Sequence, residues 1–220
     1  MQPAVPCSQP SPMPPLNAFG CTLKFQRPPL APEIGLWLIE EGVDLEATCR
    51  ELGELQAPPF WAFCWGSGQA LARFLLDHPH RARDRRVVDF GAGSGVAGIA
   101  AGLAGACSVV AVDTDPEALA AATINARDNG VELETRKTLP PDWDLLLASD
   151  VLYERDQLSH LRALARPGRG VLISDPERPS SPRLVEEAQA RYSVRTLPDV
   201  DAPIDSAAIF ELRTETALTV

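Results

Sequence analysis

The chain has 220 residues, 45% of them hydrophobic and 23% charged, with a formal net charge of −10. That length suits one α/β domain with some decoration and a core of ordinary size. The acidic balance argues against general nucleic-acid binding, because phosphate would be repelled, and no apolar run reaches the ~20 residues of a membrane span.

In chain order, the first fifteen residues carry six prolines and no charge precedes Lys24. Proline removes backbone donors and blocks helix, so residues 1–30 are predicted as a proline-rich flexible tail. A positive segment followed by an apolar one is missing, so no secretory signal is expected. Five cysteines, Cys7, Cys21, Cys49, Cys64 and Cys107, lie without a CxxC spacing or histidines beside them. They read as reduced thiols of a cytoplasmic protein, with no metal site.

Residues 31–85 are predicted as an N-terminal helical and lid segment. "PEIGLWLIEEG" (Pro32–Gly42) opens with proline and Glu33, continues with Ile34, Leu36, Trp37 and Leu38, and ends on Gly42. That order predicts a helix. "APPFWAFCW" is aromatic-rich and broken by two prolines. "SGQALARFLLDH" predicts an amphipathic helix with Leu71, Phe74 and Leu75 on one face and Ser67 as its N-cap. The basic cluster His80–Arg86 reads as a solvated loop before a strand.

From residue 86 to 220 strand and helix patterns alternate. "RVVDF", "CSVVAVD", "VELET", "DLLLASD", "GVLISDP", "SVRTL" and "AAIFELR" read as strands. "SGVAGIAAGLAG", "DPEALAAATINARDN", "RDQLSHLRALARPG" and "SPRLVEEAQARY" read as helices, the second ending on Asn129-Gly130 and the last capped by Ser181. The expected fold is α/β and Rossmann-like: a seven-stranded, mostly parallel sheet with helices on both faces. The final two strands have no helix between them, so the last strand is expected to run antiparallel.

Ligands of such sheets bind beyond the carboxyl ends of the strands, where strand order reverses. Here that place is "DFGAGSG", Asp89 to Gly95. Gly91 and Gly93 permit a tight turn and close approach of a ligand to the backbone. Asp113, ending the next strand, can accept hydrogen bonds from ribose hydroxyls. A P-loop would need Gly-Lys-Ser/Thr, but Val96 follows Gly95. A dinucleotide would bring pyrophosphate to the helix N-terminus, where the Asp89 carboxylate would repel it, and would usually require a substrate domain. The same carboxylate suits S-adenosyl-L-methionine, which carries a sulfonium and an ammonium and no phosphate. The alternative role for Asp89 is to cap the turn and organise the loop amides.

"DFGAGSG" with "VDTDP" resembles the first two motifs of the class I, seven-β-strand S-adenosylmethionine-dependent methyltransferases. "SDVLY" (Ser149–Tyr153) resembles the Asp/Glu-x-x-Tyr/Phe motif of a protein-lysine methyltransferase family within that class. "PPFWAFCWGSGQALARFLLDHP", "SDPERP" and "PEIGLWL" are similar to segments of the electron transfer flavoprotein β-subunit lysine methyltransferases. The likeness runs from about residue 30 to the C-terminus. Gly66 departs from it, because related proteins often have proline there.

The resemblance implies a protein-lysine N-methyltransferase acting on the electron transfer flavoprotein β-subunit or a similar protein. A monomer is expected, and the charge and hydropathy above leave neither nucleic acid nor membrane as partner. Asp150 and Tyr153 are the candidate catalytic residues: Asp150 to orient the amine, Tyr153 to line the channel. Asp150 could instead cap the following helix. Cofactor contacts are expected from Trp65, Asp89, Gly91, Gly93, Asp113, Trp143 and Asp150. Trp143 is placed against the adenine, or alternatively at the edge of the core. Trp61, Phe63, Asp175 and Arg178 are candidate substrate contacts, with plain packing as the default for at least one of the aromatic residues. A small-molecule N-methyltransferase and a non-catalytic S-adenosylmethionine-binding scaffold remain as alternatives.

Overall fold

A computed structural model describes residues 16, 18, 21–42, 58–153, 156–178, 181–199 and 205–212. Strands β1 (Leu23–Gln26) and β2 (Leu36–Ile39) form a two-stranded antiparallel sheet. Helix α1 (Gly66–Asp77) leads to β3 (Arg86–Phe90), α2 (Val96–Leu103), β4 (Ser108–Val112), α3 (Pro116–Asp128) and β5 (Glu134–Arg136). The chain then crosses to β6 (Leu145–Ser149), α4 (Gln157–Leu164), β7 (Gly170–Asp175), β8 (Ala190–Ser193) and β9 (Ser206–Leu212).

The main sheet has seven strands in the order β5-β4-β3-β6-β7-β9-β8. The pairs β5–β4, β4–β3, β3–β6 and β6–β7 are parallel, and β9 runs antiparallel between β7 and β8. The expected mixed sheet and its antiparallel last strand are present, with that strand inserted inside the edge. The chain runs from β3 outward through β4 to β5 and then returns to β6 on the other side of β3. The crevice at the carboxyl ends of β3 and β6 is therefore the switch point.

Alternation along the strands builds the core on both faces. Leu145, Leu147 and Leu172 pack with Leu71, Phe74 and Leu75 of α1 and Ile99 of α2. Leu146, Val171 and Ile173 face the other way, onto Leu158 and Leu161 of α4. Helix α3 starts as its sequence directs: the Asp115 carboxylate accepts from the Glu117 amide at 2.8 Å. It ends at Asn129, followed by Gly130 at φ +68°.

Four local expectations are corrected. Pro32–Gly42 holds a strand, not a helix. Leu36 and Leu38 belong to the main core, whereas Trp37 and Ile39 point into a second cluster with Trp61 and Phe63. That is a period of two, and the run is short, apolar and rich in residues that favour strands. Its partner β1 lies inside the predicted tail, so the ordered chain begins before residue 30. The helix expected over residues 181–192 is absent: within 181–189 Val185 is exposed and only Leu184 packs against the core, too small an apolar stripe to hold a helical turn, and Ala190–Ser193 is strand β8, earlier than the "SVRTL" strand expected. Ser67 lies within the first turn of α1, whose cap position is Trp65 without a side-chain cap bond. At Gly66 a Cβ would come within 2.7 Å of Val194 Cγ2, so the packing of this chain favours glycine there.

Candidate active site

The glycine loop leaves β3 and folds over the end of β4, where the amides of Gly91 and Ala92 donate to the Val112 carbonyl at 2.8 and 3.2 Å. Gly91, Gly93 and Gly95 have φ of +68°, +49° and +81°, a region costly for L side chains. Two of them are also sterically required. A Cβ at Gly91 would lie 2.8 Å from Val151 Cγ1, and one at Gly95 would lie 3.0 Å from Ala122 Cβ. Over Gly93 there is room, the nearest atom being Trp61 Cα at 3.9 Å.

Asp113 stands at the end of β4 and accepts from the Gly93 amide at 3.0 Å and the Asp115 amide at 3.0 Å. One bond goes to each oxygen, which leaves further acceptor capacity toward the crevice. Asp89 is turned inward. It is 2% exposed, and its Oδ2 accepts from the Gly98 amide of α2 at 2.8 Å. Gly98 must lack a side chain, since a Cβ there would meet Asp89 Oδ2 at 3.0 Å. Burial, with a smaller contribution from the nearby Asp113 charge, pushes the Asp89 carboxyl up to about 7 against the opposing Gly98 bond. In this geometry Asp89 organises the loop–helix junction.

At the ends of β6 and β7 the structure brings Asp150, Asp175 and Arg178 together. Asp150 has φ +57°, and its amide donates to the Ser174 carbonyl at 3.1 Å. Its carboxylate takes both arms of the Arg178 guanidinium, one through Nη1 and one through Nη2 at 3.3 Å. Helix α4 starts at Gln157 behind Asp156, so Asp150 does not cap it. Asp175 is buried, and its Oδ1 accepts from the Glu177 amide at 2.6 Å. Burial raises its pKa from the ordinary aspartate value, and the Asp150 charge adds to the rise against the Glu177 amide, Arg178 and the Ser181 side chain. Tyr153, 73% exposed, stands on the outer rim. Glu177, also at positive φ, pairs with Arg191 of β8 and so anchors the turn that presents Arg178.

The aromatic segment divides. Trp61 and Phe63 are buried against Trp37, Ile39, Ala118 and Ala121. Packing therefore replaces the substrate contact expected of both. Trp65 is half-buried, with Nε1 donating to the Phe60 carbonyl at 3.0 Å and its ring 6.0 Å from Phe60. Phe60, 50% exposed, is a surface aromatic that the sequence reading did not single out.

Trp143 is placed elsewhere than expected. It precedes β6, at the amino end of the strand, under the Arg169 guanidinium at 4.9 Å and within the core beneath α4. The glycine loop lies at the carboxyl ends, roughly 17 Å away along a five-residue strand. Trp143 cannot reach an adenine bound there. Half-buried apolar side chains on the correct rim are Phe90, the last residue of β3, and Val151, just after β6. A sequence signal for both existed, since each stands at the carboxyl end of a strand.

The site thus offers an open glycine turn, a strand-end carboxylate, apolar side chains and a second group of carboxylates one strand away. Loop residues 91–95 carry no cationic side chain for phosphate. The fold of magnesium protoporphyrin IX methyltransferase from Synechocystis PCC 6803, with bound SAM, matches 67% of this chain and 79% of its own at a TM-score of 0.50 and 18% identity. The family model described as ribosomal protein L11 methyltransferase (PrmA) matches residues 67–152.

In sequence the chain is similar to the electron transfer flavoprotein β-subunit lysine methyltransferases. It is 39% identical to the Xenopus laevis protein over 163 residues, 68% of this chain and 65% of the relative. The Homo sapiens protein is 37% identical over 132 residues, 55% and 50% of the two chains. Ribosomal protein L11 methyltransferase of Methylococcus capsulatus is 37% identical over 72% of this chain and 54% of its own. The chain spans less than two thirds of the length of these curated relatives.

Proposed function

We propose that this chain is an S-adenosylmethionine-dependent protein-lysine N-methyltransferase that modifies the electron transfer flavoprotein β-subunit or a protein like it. The observation that carries the reading is the adjacency of two sites. The glycine loop after β3 touches the Asp150 turn after β6, where Gly91 lies against Val151. A ligand over the loop and a nucleophile at Asp150 would be immediate neighbours.

The residues fit the cofactor. The space over Gly93, the carboxylate of Asp113 and the apolar surface of Phe90 and Val151 suit a nucleoside, and Gly91, Gly93 and Asp113 would hold it. When bound, the cofactor supplies an electrophilic methyl group on a sulfonium. The chain's own task is to bring a neutral amine to it. A lysine ammonium has a pKa near ~10.4, so it must shed a proton before attack. The Phe60–Trp65 aromatic pair and the exposed Tyr153 ring are the surfaces that would disfavour the charged form of an amine packed against them. Asp150 accepts a hydrogen bond from that amine and orients it. Its carboxylate already binds a cation, the Arg178 guanidinium, so the incoming lysine shares or displaces that partner.

The excess of negative charge complements a lysine-bearing protein surface. Nucleic acid and membrane are not partners in this reading, and the protein acts as a monomer. Among the described residues no helix is long and apolar enough to cross a membrane. A reducing, cytoplasmic setting accords with the free thiols of Cys21, Cys64 and Cys107.

The test uses purified protein, methyl-labelled S-adenosylmethionine and the electron transfer flavoprotein β-subunit. The label is expected on a lysine located by mass spectrometry. It should be lost in Asp150→Asn while cofactor affinity stays within about twofold. Unchanged turnover in D150N would remove Asp150 from the mechanism. Label found only on small amines would make the protein a small-molecule enzyme, and absence of cofactor binding would leave a scaffold.

A further inference from the structure

Strand β2 has two edges. One pairs with β1; the other faces helix α3, which meets it with side chains in place of a third strand. Asn129 accepts from the Gly35 amide at 2.9 Å and donates to the Gly35 carbonyl at 2.6 Å. Asn125, one turn earlier and on the same helix face, accepts from the Trp37 amide at 2.8 Å. The Trp37 indole donates to Asp128 at 2.9 Å. Two asparagines thus satisfy backbone groups on the free edge of the hairpin, and Asp128 holds the Trp37 indole beside them.

Asn125 has a second arm. Its Nδ2 donates to the carbonyl of Ser94 at 2.9 Å, and the side chain is 0% exposed. Ser94 lies inside the glycine loop, between Gly93 and Gly95, both in left-handed backbone. On the same helix Ala122 packs against Gly95. A buried carbonyl deprived of its donor loses a hydrogen bond that water cannot replace there, and the flanking glycines offer little resistance to rotation of the peptide.

We propose that Asn125 is a positioning residue for the cofactor loop. Its amide fixes the Ser94 carbonyl, and with it the orientation of the Gly93–Ser94–Gly95 peptides. The same side chain ties that loop to the β1–β2 hairpin, which becomes a fixed part of the cofactor site although it touches no ligand. A carboxamide is required because one end must accept and the other donate. Aspartate keeps the Trp37 bond but sets an oxygen against the Ser94 carbonyl. The inference rests on the reading that the glycine loop holds the cofactor.

The experiment compares the full-length wild type, Asn125→Asp and Asn129→Ala. Asn129 docks the hairpin but does not bond to the loop, so it reports hairpin docking alone. Thermal melts give stability, calorimetry with S-adenosylhomocysteine gives affinity, and hydrogen exchange follows the amides of residues 91–95. Both variants are expected to melt earlier. Affinity should fall at least about tenfold in N125D and stay within about twofold in N129A, with faster loop exchange in N125D only. Wild-type affinity in N125D, or an equal loss in N129A, overturns the proposal. If the wild type does not bind the probe, the cofactor reading fails; unchanged loop exchange in N125D then overturns the positioning role separately. If N125D does not fold, Asn125→Ser carries the same expectations.

Discussion

Replacing Asp89 by asparagine removes a buried charge while keeping its shape, and the outcome depends on pH. In the fold the Asp89 carboxyl titrates at about 7, against an ordinary value of 3.8, mainly because it is buried. An acid whose folded pKa lies above its unfolded one holds its proton more tightly in the native state. Its favourable contribution is therefore complete below the unfolded value and is lost as pH rises toward the folded one, here between about pH 4 and 7. About three pH units at roughly 1.4 kcal/mol each give a maximal cost of about 4 kcal/mol at alkaline pH. The asparagine oxygen can still accept from the Gly98 amide and does not ionise. Urea melts of both proteins at pH 5 and pH 8 measure the difference. The wild type should lose about 3 kcal/mol relative to Asp89→Asn over that interval. Parallel pH profiles for the two proteins would refute the reasoning, because they would mean that Asp89 titrates alike in the folded and unfolded chain.

Gly95→Ala places a methyl group at φ +81° and against the backbone of α3, with Ala122 Cα 3.1 Å away. The left-handed conformation and the overpacking together should lower stability by about 2–4 kcal/mol in the same melts, with weaker S-adenosylhomocysteine binding. At the opposite rim, Trp143→Ala should cost about 3–5 kcal/mol as a core truncation. Trp143→Phe should leave cofactor affinity unchanged by calorimetry, and a tenfold loss there would return the residue to the binding site.

Much of the site was legible because its residues are local to strand ends. Asp89, Gly91, Gly93 and Asp113 follow apolar runs, and the loop they build is fixed by backbone sterics over a few residues. Asp150 was legible for the same reason. Asp175 and Arg178 also stood out in sequence, as candidate substrate contacts, but the pairing of Arg178 with Asp150 did not, because it arises only through the parallel pairing of β6 and β7. Trp143 shows the limit from the other side. Its position in the sequence fits a connection near the site, but the strand that follows it runs the full depth of the sheet and leaves it at the far rim.

By itself the sequence determined the alternation of elements, the parallel sheet and the chemistry of the glycine loop, because these follow from periodicity and local conformational cost. Tertiary structure decided the rest. It made Leu36–Ile39 a strand by burying its two faces in different clusters, and withheld a helix from residues 181–189 for want of an apolar stripe. It also turned Trp61 and Phe63 into core. Above all it selected Asn125, a residue without sequence signature, as the joint between hairpin and loop. The physical reason is that its hydrogen bonds run to Trp37 and Ser94, backbone groups distant in sequence, and such a pairing exists only once the chain has folded.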